Sequence, residues 1–177
     1  KKATRNAVIA EIKRATTILS ANDLFMVTYS GHGGELQDMN KDENDGIDET
    51  WCLFDGELID DELSNLWSYF QKGVRILVIS DSCNSGTITK GKQNLDISLI
   101  EYANKFMPYD IAYKTYHNNK GFYDNILKNN KEVKSECIQA SVKLISSSQD
   151  HSPSYDGTFN SQFTNALKQV WNGGNFN

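Results

Sequence analysis

A chain of 177 residues with 38% hydrophobic and 23% charged residues has the size and composition of one soluble globular domain. Its formal net charge of −5 gives no general attraction to phosphate groups, which argues against a nucleic-acid-binding protein. Its three cysteines include no closely spaced pair, which argues against a disulfide framework and against a thiolate zinc site.

The first half of the chain predicts a helix, a strand, a loop, a second helix and a second strand. Apolar residues at helical spacing predict a helix over residues 3–19, and an apolar run predicts a buried strand over 23–30. The glycine-rich, acidic residues 31–55 are expected to form a long surface loop. A helix is predicted over 60–71 and a central parallel strand over 74–80, where branched apolar side chains are almost continuous.

The second half of the chain begins with its least regular segment, residues 87–136, which is rich in lysine and asparagine. Residues 95–106 and 122–129 have a weak helical pattern, and we expect the segment as a whole to be a mobile insertion. A third strand is predicted over 141–146 and a final helix over 160–171. The alternation of helices and strands is typical of a single α/β domain with a doubly wound, mainly parallel sheet flanked by helices.

The location of the chain is predicted from its apolar stretches. None of them is long enough to span a bilayer, and residues 1–22 lack the apolar core of a signal peptide. We therefore expect no membrane association and a cytoplasmic location.

Two candidate catalytic residues follow two of the predicted strands. His32 lies between glycines just after the first strand, and Cys83 lies among small residues just after the second. Ligands of parallel sheets bind beyond the carboxyl ends of the strands, so the two loops are expected to be neighbours at a functional site. A histidine beside a thiol can take its proton and make it a nucleophile. The N–H groups of Gly33 and Cys83 are the candidate donors to the oxyanion that would then develop.

Four sequence blocks carry a resemblance to a known family. They are YSGHGG at residues 29–34, DGIDET at 45–50, IDDEL at 59–63 and DSCNSGT at 81–87. In this order they resemble the signature blocks of metacaspases, which belong to the caspase-like cysteine peptidases. The resemblance implies a caspase-like α/β fold and a His32–Cys83 dyad that cleaves peptide bonds after arginine or lysine. The partners that it implies are protein or peptide substrates with basic residues.

The resemblance also implies a specificity pocket. Metacaspases line this pocket with the acid two residues before the cysteine and the serine two residues before the histidine, here Asp81 and Ser30. A partly buried carboxylate pairs with guanidinium and ammonium groups, which agrees with this role; helix capping is the alternative for Asp81. Asp150, after the third strand, is a further candidate for substrate binding, although its loop also has the composition of an ordinary turn.

The cysteine chemistry itself requires no cofactor. Metacaspases commonly respond to calcium through an acidic cluster, for which Asp60 and Asp61 are the matching residues here. Helix capping explains these two aspartates equally well. Lys90 stands where the family usually adds another acid, which argues against calcium activation.

Three further expectations concern the chain as a whole. It begins at a helix, without the first strand of the family, so a further segment or a second chain is expected to complete the sheet. The lysines of residues 87–136 make this segment a candidate for self-cleavage, with an ordinary surface insertion as the alternative. The alternative to peptidase activity is a catalytically silent, caspase-like module that binds partners, and the presence of His32 and Cys83 argues against it.

Overall fold

The structure is a computed structural model that describes residues 3–39, 46–82, 105–131, 133–147 and 161–175. Cys83 and Asp150 lie outside the described residues. The helices and strands are, in chain order, α1 (Arg5–Ile18), β1 (Leu24–Ser30), β2 (Gly33–Gln37), β3 (Ile47–Leu53), β4 (Gly56–Ile59), α2 (Asp60–Ser68), β5 (Arg75–Asp81), α3 (Tyr109–Asn118), α4 (Lys120–Asn129), β6 (Ser141–Ser146) and α5 (Gln162–Trp171). Short 3₁₀ helices cover Ser135–Cys137 and Asn172–Gly174.

Three strands form a parallel sheet in the order β1–β5–β6. Ser30 of β1 pairs with Asp81 of β5, so these two strands end at the same level. In the central strand β5, Ile76 and Val78 are only 1% and 4% exposed, as expected where both neighbours are strands. The predicted α/β class, with a parallel sheet flanked by helices, is confirmed.

Helices α1 and α2 pack with the sheet in one apolar core. Ile12 of α1, Leu66 and Trp67 of α2 and Val78 of β5 belong to the same cluster of buried side chains. The periodic apolar residues that predict both helices are therefore the residues that hold them in place. Burying each large side chain contributes about 1.5–3 kcal/mol relative to leaving it in water.

Residues 31–55 do not form the long surface loop that their composition predicts. They contain β2 and β3, which pair with β4 in a separate antiparallel sheet of order β2–β3–β4. The prediction is wrong because acidic residues of this segment are buried rather than solvated: Asp38 is 7% exposed and Asp48 is 0% exposed. The buried carboxylate of Glu57 in β4 accepts a hydrogen bond from the Thr50 hydroxyl at 2.7 Å, which offsets part of the cost of its burial.

Residues 87–136, expected to be a mobile insertion, contain the helices α3 and α4 in their described part. Tyr123, Ile126 and Leu127 of α4 are buried in a second apolar cluster with Leu36 and Ile59. The weak helical pattern of residues 122–129 thus coincides with α4, whereas the mobility of the whole segment stays a prediction. A few apolar residues on one face are enough to anchor a helix whose remaining residues are polar.

Strands β1 and β6 form the two edges of the parallel sheet within the described residues. Leu24 and Met26 of β1 are 51% and 57% exposed, and Leu144 of β6 is 61% exposed. The further strand expected to complete the sheet stays a prediction. Across the part of the chain that the structure describes, the helices are too short or too polar to cross a membrane.

Candidate functional site

The candidate catalytic residues follow the paired ends of two parallel strands. Ser30 and Asp81 are the last residues of β1 and β5 and pair with each other. The Gly31 N–H donates to the Asp81 carbonyl at 3.3 Å, which joins the two strand ends. His32 follows β1 by two residues, and Cys83 follows β5 by two residues in the sequence. The dyad stays a prediction, since Cys83 is not among the described residues.

The antiparallel sheet holds the backbone of His32. The His32 carbonyl accepts the Cys52 N–H at 3.0 Å and the Tyr29 hydroxyl at 2.7 Å. Burial raises the pKa of Tyr29, so its hydroxyl keeps its proton and remains a donor. The Tyr29 ring stacks on Trp51 with ring centroids 4.7 Å apart. Because His32 itself is exposed, the fold fixes its backbone and leaves its imidazole accessible to a substrate.

Cys52 is a thiol of the same region and is unsuited to act as a nucleophile. Burial, followed by the negative charge of Glu57, raises the pKa of Cys52 to about 12. Its thiol therefore stays protonated at neutral pH, and the thiolate is the reactive form. Cys137 is free and exposed and lies in a 3₁₀ helix rather than at a strand end.

Asp81, the predicted specificity residue, is 2% exposed at the end of β5. Its Oδ2 atom accepts hydrogen bonds from the Ser161 hydroxyl, from the Thr164 hydroxyl at 2.7 Å and from the Lys105 ammonium at 2.9 Å. The same ammonium donates to the Ser30 hydroxyl at 3.0 Å. The two residues predicted to line the pocket, Asp81 and Ser30, therefore both bind Lys105.

The ion pair keeps Asp81 charged despite its burial. Burial alone would raise the pKa of Asp81, but hydrogen bonds from the three side-chain donors and the positive charge of Lys105 outweigh it. The pKa of this carboxyl consequently lies below its usual value, and the group is ionised at neutral pH. A cavity of about 180 Å³ adjoins the ion pair and is lined by Ser30, Gly31, His32 and Lys105.

The backbone near Lys105 runs beside the start of β2. The Gly33 N–H donates to the Lys105 carbonyl at 2.8 Å, and the Met107 N–H donates to the Gly33 carbonyl at 2.8 Å. These bonds form a parallel bridge between Gly33 and Phe106. The Gly33 N–H, a predicted oxyanion donor, is thus bonded to a peptide carbonyl, the kind of group that a substrate would present to it.

The sequence did not single out Lys105, Ser161 or Thr164. Lys105 is one of many lysines in a segment without strong periodicity, and nothing in its neighbourhood distinguishes it. Ser161 could have been identified as a helix N-cap, because its hydroxyl accepts the Thr164 N–H at 3.0 Å. Its hydrogen bond to Asp81 joins residues 80 positions apart, so no pattern in the sequence around Ser161 indicates this contact.

Asp60 and Asp61, the candidate calcium ligands, begin α2. Burial, followed by the charges of Asp48, Asp61 and Glu49, raises the pKa of Asp60 to about 8. Carboxylate oxygens are the ligands that calcium prefers. Among the described residues, however, no group of three or more His, Cys, Asp or Glu side chains is arranged to hold a metal ion. Calcium binding at this cluster stays a prediction.

A larger cavity of about 300 Å³ lies between α2 and the parallel sheet. Its lining includes Asp60, Trp51, Trp67, Ser80 and Leu144. Among the residues that the structure describes, none of the predicted catalytic or specificity-pocket residues lines this cavity. Cavity size therefore does not identify the candidate active site, which is defined instead by the chemistry at the ends of β1 and β5.

Comparisons with known proteins identify relatives of this chain. Residues 1–91, about half of the chain, match the family model described as metacaspase, peptidase C14 domain, and this range includes both His32 and Cys83. Metacaspase-1 of Kluyveromyces lactis is 30% identical over 171 residues, which cover 82% of this chain and 40% of that protein. Metacaspase-1 of Pyricularia oryzae is 38% identical over 90 residues, which cover 48% of this chain and 22% of that protein.

A solved structure is also similar. The crystal structure of a protein from Geobacter sulfurreducens is 46% identical, with a TM-score of 0.84, and the match covers 99% of this chain and 64% of that one. The chain spans 40% of the length of the Kluyveromyces lactis relative. Because the family model matches half of the chain and includes both strand-end motifs, this chain belongs to the metacaspase family with its peptidase C14 domain.

Proposed function

We propose that this chain is the catalytic unit of a cysteine endopeptidase that cleaves peptide bonds after lysine or arginine. The observation that carries the proposal is the Lys105 ammonium, which lies 2.9 Å from an Asp81 carboxylate oxygen and 3.0 Å from the Ser30 hydroxyl. A pocket that binds a lysine of its own chain has the charge and the acceptors to bind a lysine or arginine of a substrate. The same carboxylate repels an acidic side chain.

The first chemical step is acylation of the cysteine. His32 takes the proton of the Cys83 thiol, and the thiolate attacks the carbonyl carbon of the scissile bond. The N–H groups of Gly33 and Cys83 stabilise the resulting oxyanion. When the carbon–nitrogen bond breaks, the His32 imidazolium gives its proton to the leaving amine, and the acyl group stays on Cys83 as a thioester.

The second step is hydrolysis of the thioester. His32 takes a proton from water, and the resulting hydroxide attacks the thioester carbonyl. The carbon–sulfur bond breaks, the His32 imidazolium returns its proton to the Cys83 sulfur, and the new carboxyl group loses its proton to water and leaves as a carboxylate. No step requires a cofactor. Calcium remains a proposed activator at Asp60 and Asp61, and none of these steps passes through it.

The segment of this chain that contains Lys105 is also a proposed substrate of the site. The Lys105 side chain lies against the predicted specificity residues, and its carbonyl accepts the N–H of Gly33, the proposed oxyanion donor. Side chain and carbonyl thus have the contacts that the residue before a scissile bond requires. This arrangement supports self-cleavage between Lys105 and Phe106.

The proposal is tested with peptides that differ only at the residue before the cleaved bond, which is arginine, lysine, norleucine or aspartate. We expect the wild-type protein to cleave the arginine and lysine peptides, with and without calcium in parallel assays. Cys83→Ala should lower this activity by at least about a thousandfold, because no other group supplies the thiolate. Cys137→Ala, which removes an exposed thiol, is the matched control and should leave the activity unchanged.

Two results would contradict the proposal. Retained cleavage in Cys83→Ala would exclude the nucleophile. If the wild type cleaves no peptide and a thiol-reactive, arginine-bearing peptide does not label Cys83, the chain is a silent, caspase-like binding module instead.

A further inference from the structure

The first turn of α5 reaches into the specificity pocket. Ser161 is the N-cap of α5 and is 3% exposed. Its hydroxyl accepts the Thr164 N–H at 3.0 Å and at the same time donates its own proton to Asp81 Oδ2. The Thr164 hydroxyl donates to the same oxygen at 2.7 Å. A helix cap needs only the first of these three bonds, so capping does not explain the other two.

We infer that Ser161 and Thr164 are positioning residues, whose hydroxyls hold the Asp81 carboxylate in the orientation that binds a basic side chain of the substrate. The inference rests on the proposed function, since it names further determinants of the same pocket. It extends the pocket from the strand ends at Ser30 and Asp81 to the helix that follows β6.

The contacts of Asp81 favour an ionised carboxylate. The Ser161 hydroxyl, the Thr164 hydroxyl and the Lys105 ammonium all donate to Oδ2, and donors of this kind stabilise the charged form over the protonated one. Lys105 and a substrate side chain are alternative occupants of this position. The two hydroxyls are part of the fold and stay when the occupant leaves.

These hydroxyls matter most while the pocket has no cation. A buried carboxylate without donors is costly, and it lowers that cost by taking up a proton. Asp81 is 2% exposed, and its Oδ1 atom has no hydrogen-bond partner among the described residues. Ser161 and Thr164 therefore keep the carboxylate charged and oriented, so that an incoming ammonium or guanidinium group need not reorganise it.

A purely structural role is the alternative, in which the two bonds only attach α5 to the sheet. None of the residues within α5 is buried, so this attachment is a real contribution of the hydroxyls. Loss of attachment alone would lower the activity toward all substrates to the same degree. Loss of positioning would affect basic substrates selectively, which separates the two roles.

The test compares Thr164→Val and Ser161→Gly with Thr17→Val, which removes a hydroxyl from an exposed position of α1. Glycine is chosen at Ser161 because it is tolerated at an N-cap almost as well as serine. For a lysine peptide, we expect Thr164→Val and Ser161→Gly each to raise KM about tenfold with little change in kcat, since each loses one hydrogen bond to a charged group, and we expect Thr17→Val to leave KM unchanged. KM for the norleucine peptide should stay unchanged, and Thr164→Ser should restore the wild-type KM.

A pH series gives a second readout. Without a hydroxyl donor the pKa of Asp81 rises. As pH is lowered, KM of the variants for the lysine peptide should therefore begin to increase at a higher pH than KM of the wild type does.

An unchanged KM for the lysine peptide in both variants, or equal losses of activity for the lysine and norleucine peptides, overturns the inference. If the wild type itself does not prefer basic residues, the proposed function fails first. One folded variant of the two, checked by circular dichroism, is sufficient for the decision.

Discussion

Lys105 has the contacts of a substrate residue at a site formed by its own chain. Its ammonium is bound by Asp81 and Ser30, and its carbonyl is bound by the Gly33 N–H. Its side chain is 7% exposed, so the contact is sheltered from water and salt. While Lys105 occupies this position, an external substrate cannot use the same carboxylate.

We predict that the bond after Lys105 is the self-cleavage site. During incubation, the wild-type protein should yield a fragment that begins at Phe106, as measured by intact mass and N-terminal sequencing. Lys105→Gln should stop cleavage at this bond, because an uncharged side chain cannot pair with Asp81. Lys105→Arg should retain it, because guanidinium also pairs with a carboxylate.

Lys114→Gln serves as the control for this prediction. Lys114 belongs to the same lysine-rich segment, but its side chain is 68% exposed and contacts only Asp110 of its own helix among the ion pairs described. Its substitution should leave the fragment pattern unchanged. Cleavage of Lys105→Gln between residues 105 and 106 at the wild-type rate would rule out the assignment, and so would a wild-type chain that remains intact while it cleaves lysine peptides.

At the scale of single elements, the first turn of α2 contains Asp60, a carboxyl group whose negative charge is unfavourable in the folded protein. Burial and the charges of Asp48, Asp61 and Glu49 raise the pKa of Asp60 from 3.8 to about 8. Between these two pH values, the folded state holds more protons on Asp60 than the unfolded state does. The free energy of unfolding therefore falls as pH rises through this window.

Asp60→Asn should remove this pH dependence. Asparagine keeps an oxygen that can accept the Asp61 N–H, a hydrogen bond of 3.0 Å in the wild type, but it carries no charge. We expect the variant to have a Tm roughly 5–10 °C above that of the wild type at pH 8, and a smaller difference at pH 5. Thermal unfolding followed by circular dichroism measures both values.

Asp110→Asn is the matched control, since Asp110 also lies in a first helical turn but its side chain is 65% exposed. It should change Tm little at either pH. Parallel pH curves for the wild type and Asp60→Asn would contradict the raised pKa. If the cluster binds calcium as proposed, calcium should raise the wild-type Tm and should raise the Asp60→Asn Tm less; equal shifts would argue against that site.

The elements differ in how well the sequence predicts them. Strands β1 and β5 are nearly continuous apolar or branched runs, and helices α1 and α2 have regular apolar spacing, so local pattern is sufficient to predict them. Strand β2 begins with two glycines, and β3 contains the buried Asp48, so neither has the alternation of polar and apolar residues that would predict a strand. Helix α4 gives only a weak helical pattern because its apolar residues lie within a lysine- and asparagine-rich sequence.

At the scale of the whole molecule, the site combines local and distant determinants. The motifs around His32 and Asp81 follow strand ends, and the sequence therefore predicts their proximity. The contact of Ser161 with Asp81 joins positions 80 residues apart, and the pairing of Lys105 with Ser30 joins positions 75 apart. Such contacts depend on how the chain folds back on itself, which the periodicity of any one segment does not record.

Arg5 connects several parts of the molecule in the same long-range way. Its guanidinium forms two hydrogen bonds to the Glu62 carboxylate of α2, at 2.7 and 2.9 Å, and donates to the Glu57 carbonyl of β4. It also lies over the Phe122 ring of α4, 5.2 Å from the ring centroid. Arg5 is 7% exposed, so its charge depends on these partners rather than on water.

Arg5→Met should lower the free energy of unfolding by about 3 kcal/mol, because it leaves a largely buried Glu62 without its cation. Arg14→Met is the matched control: Arg14 pairs with Glu11 at 2.8 Å, but both side chains are more than 60% exposed. Its cost should stay below about 0.5 kcal/mol, as is usual for surface ion pairs. Urea unfolding of both variants measures the difference. Equal costs would mean that the Arg5 network contributes no more than a surface pair, and α1, β4, α2 and α4 would then have to be held together by apolar packing alone.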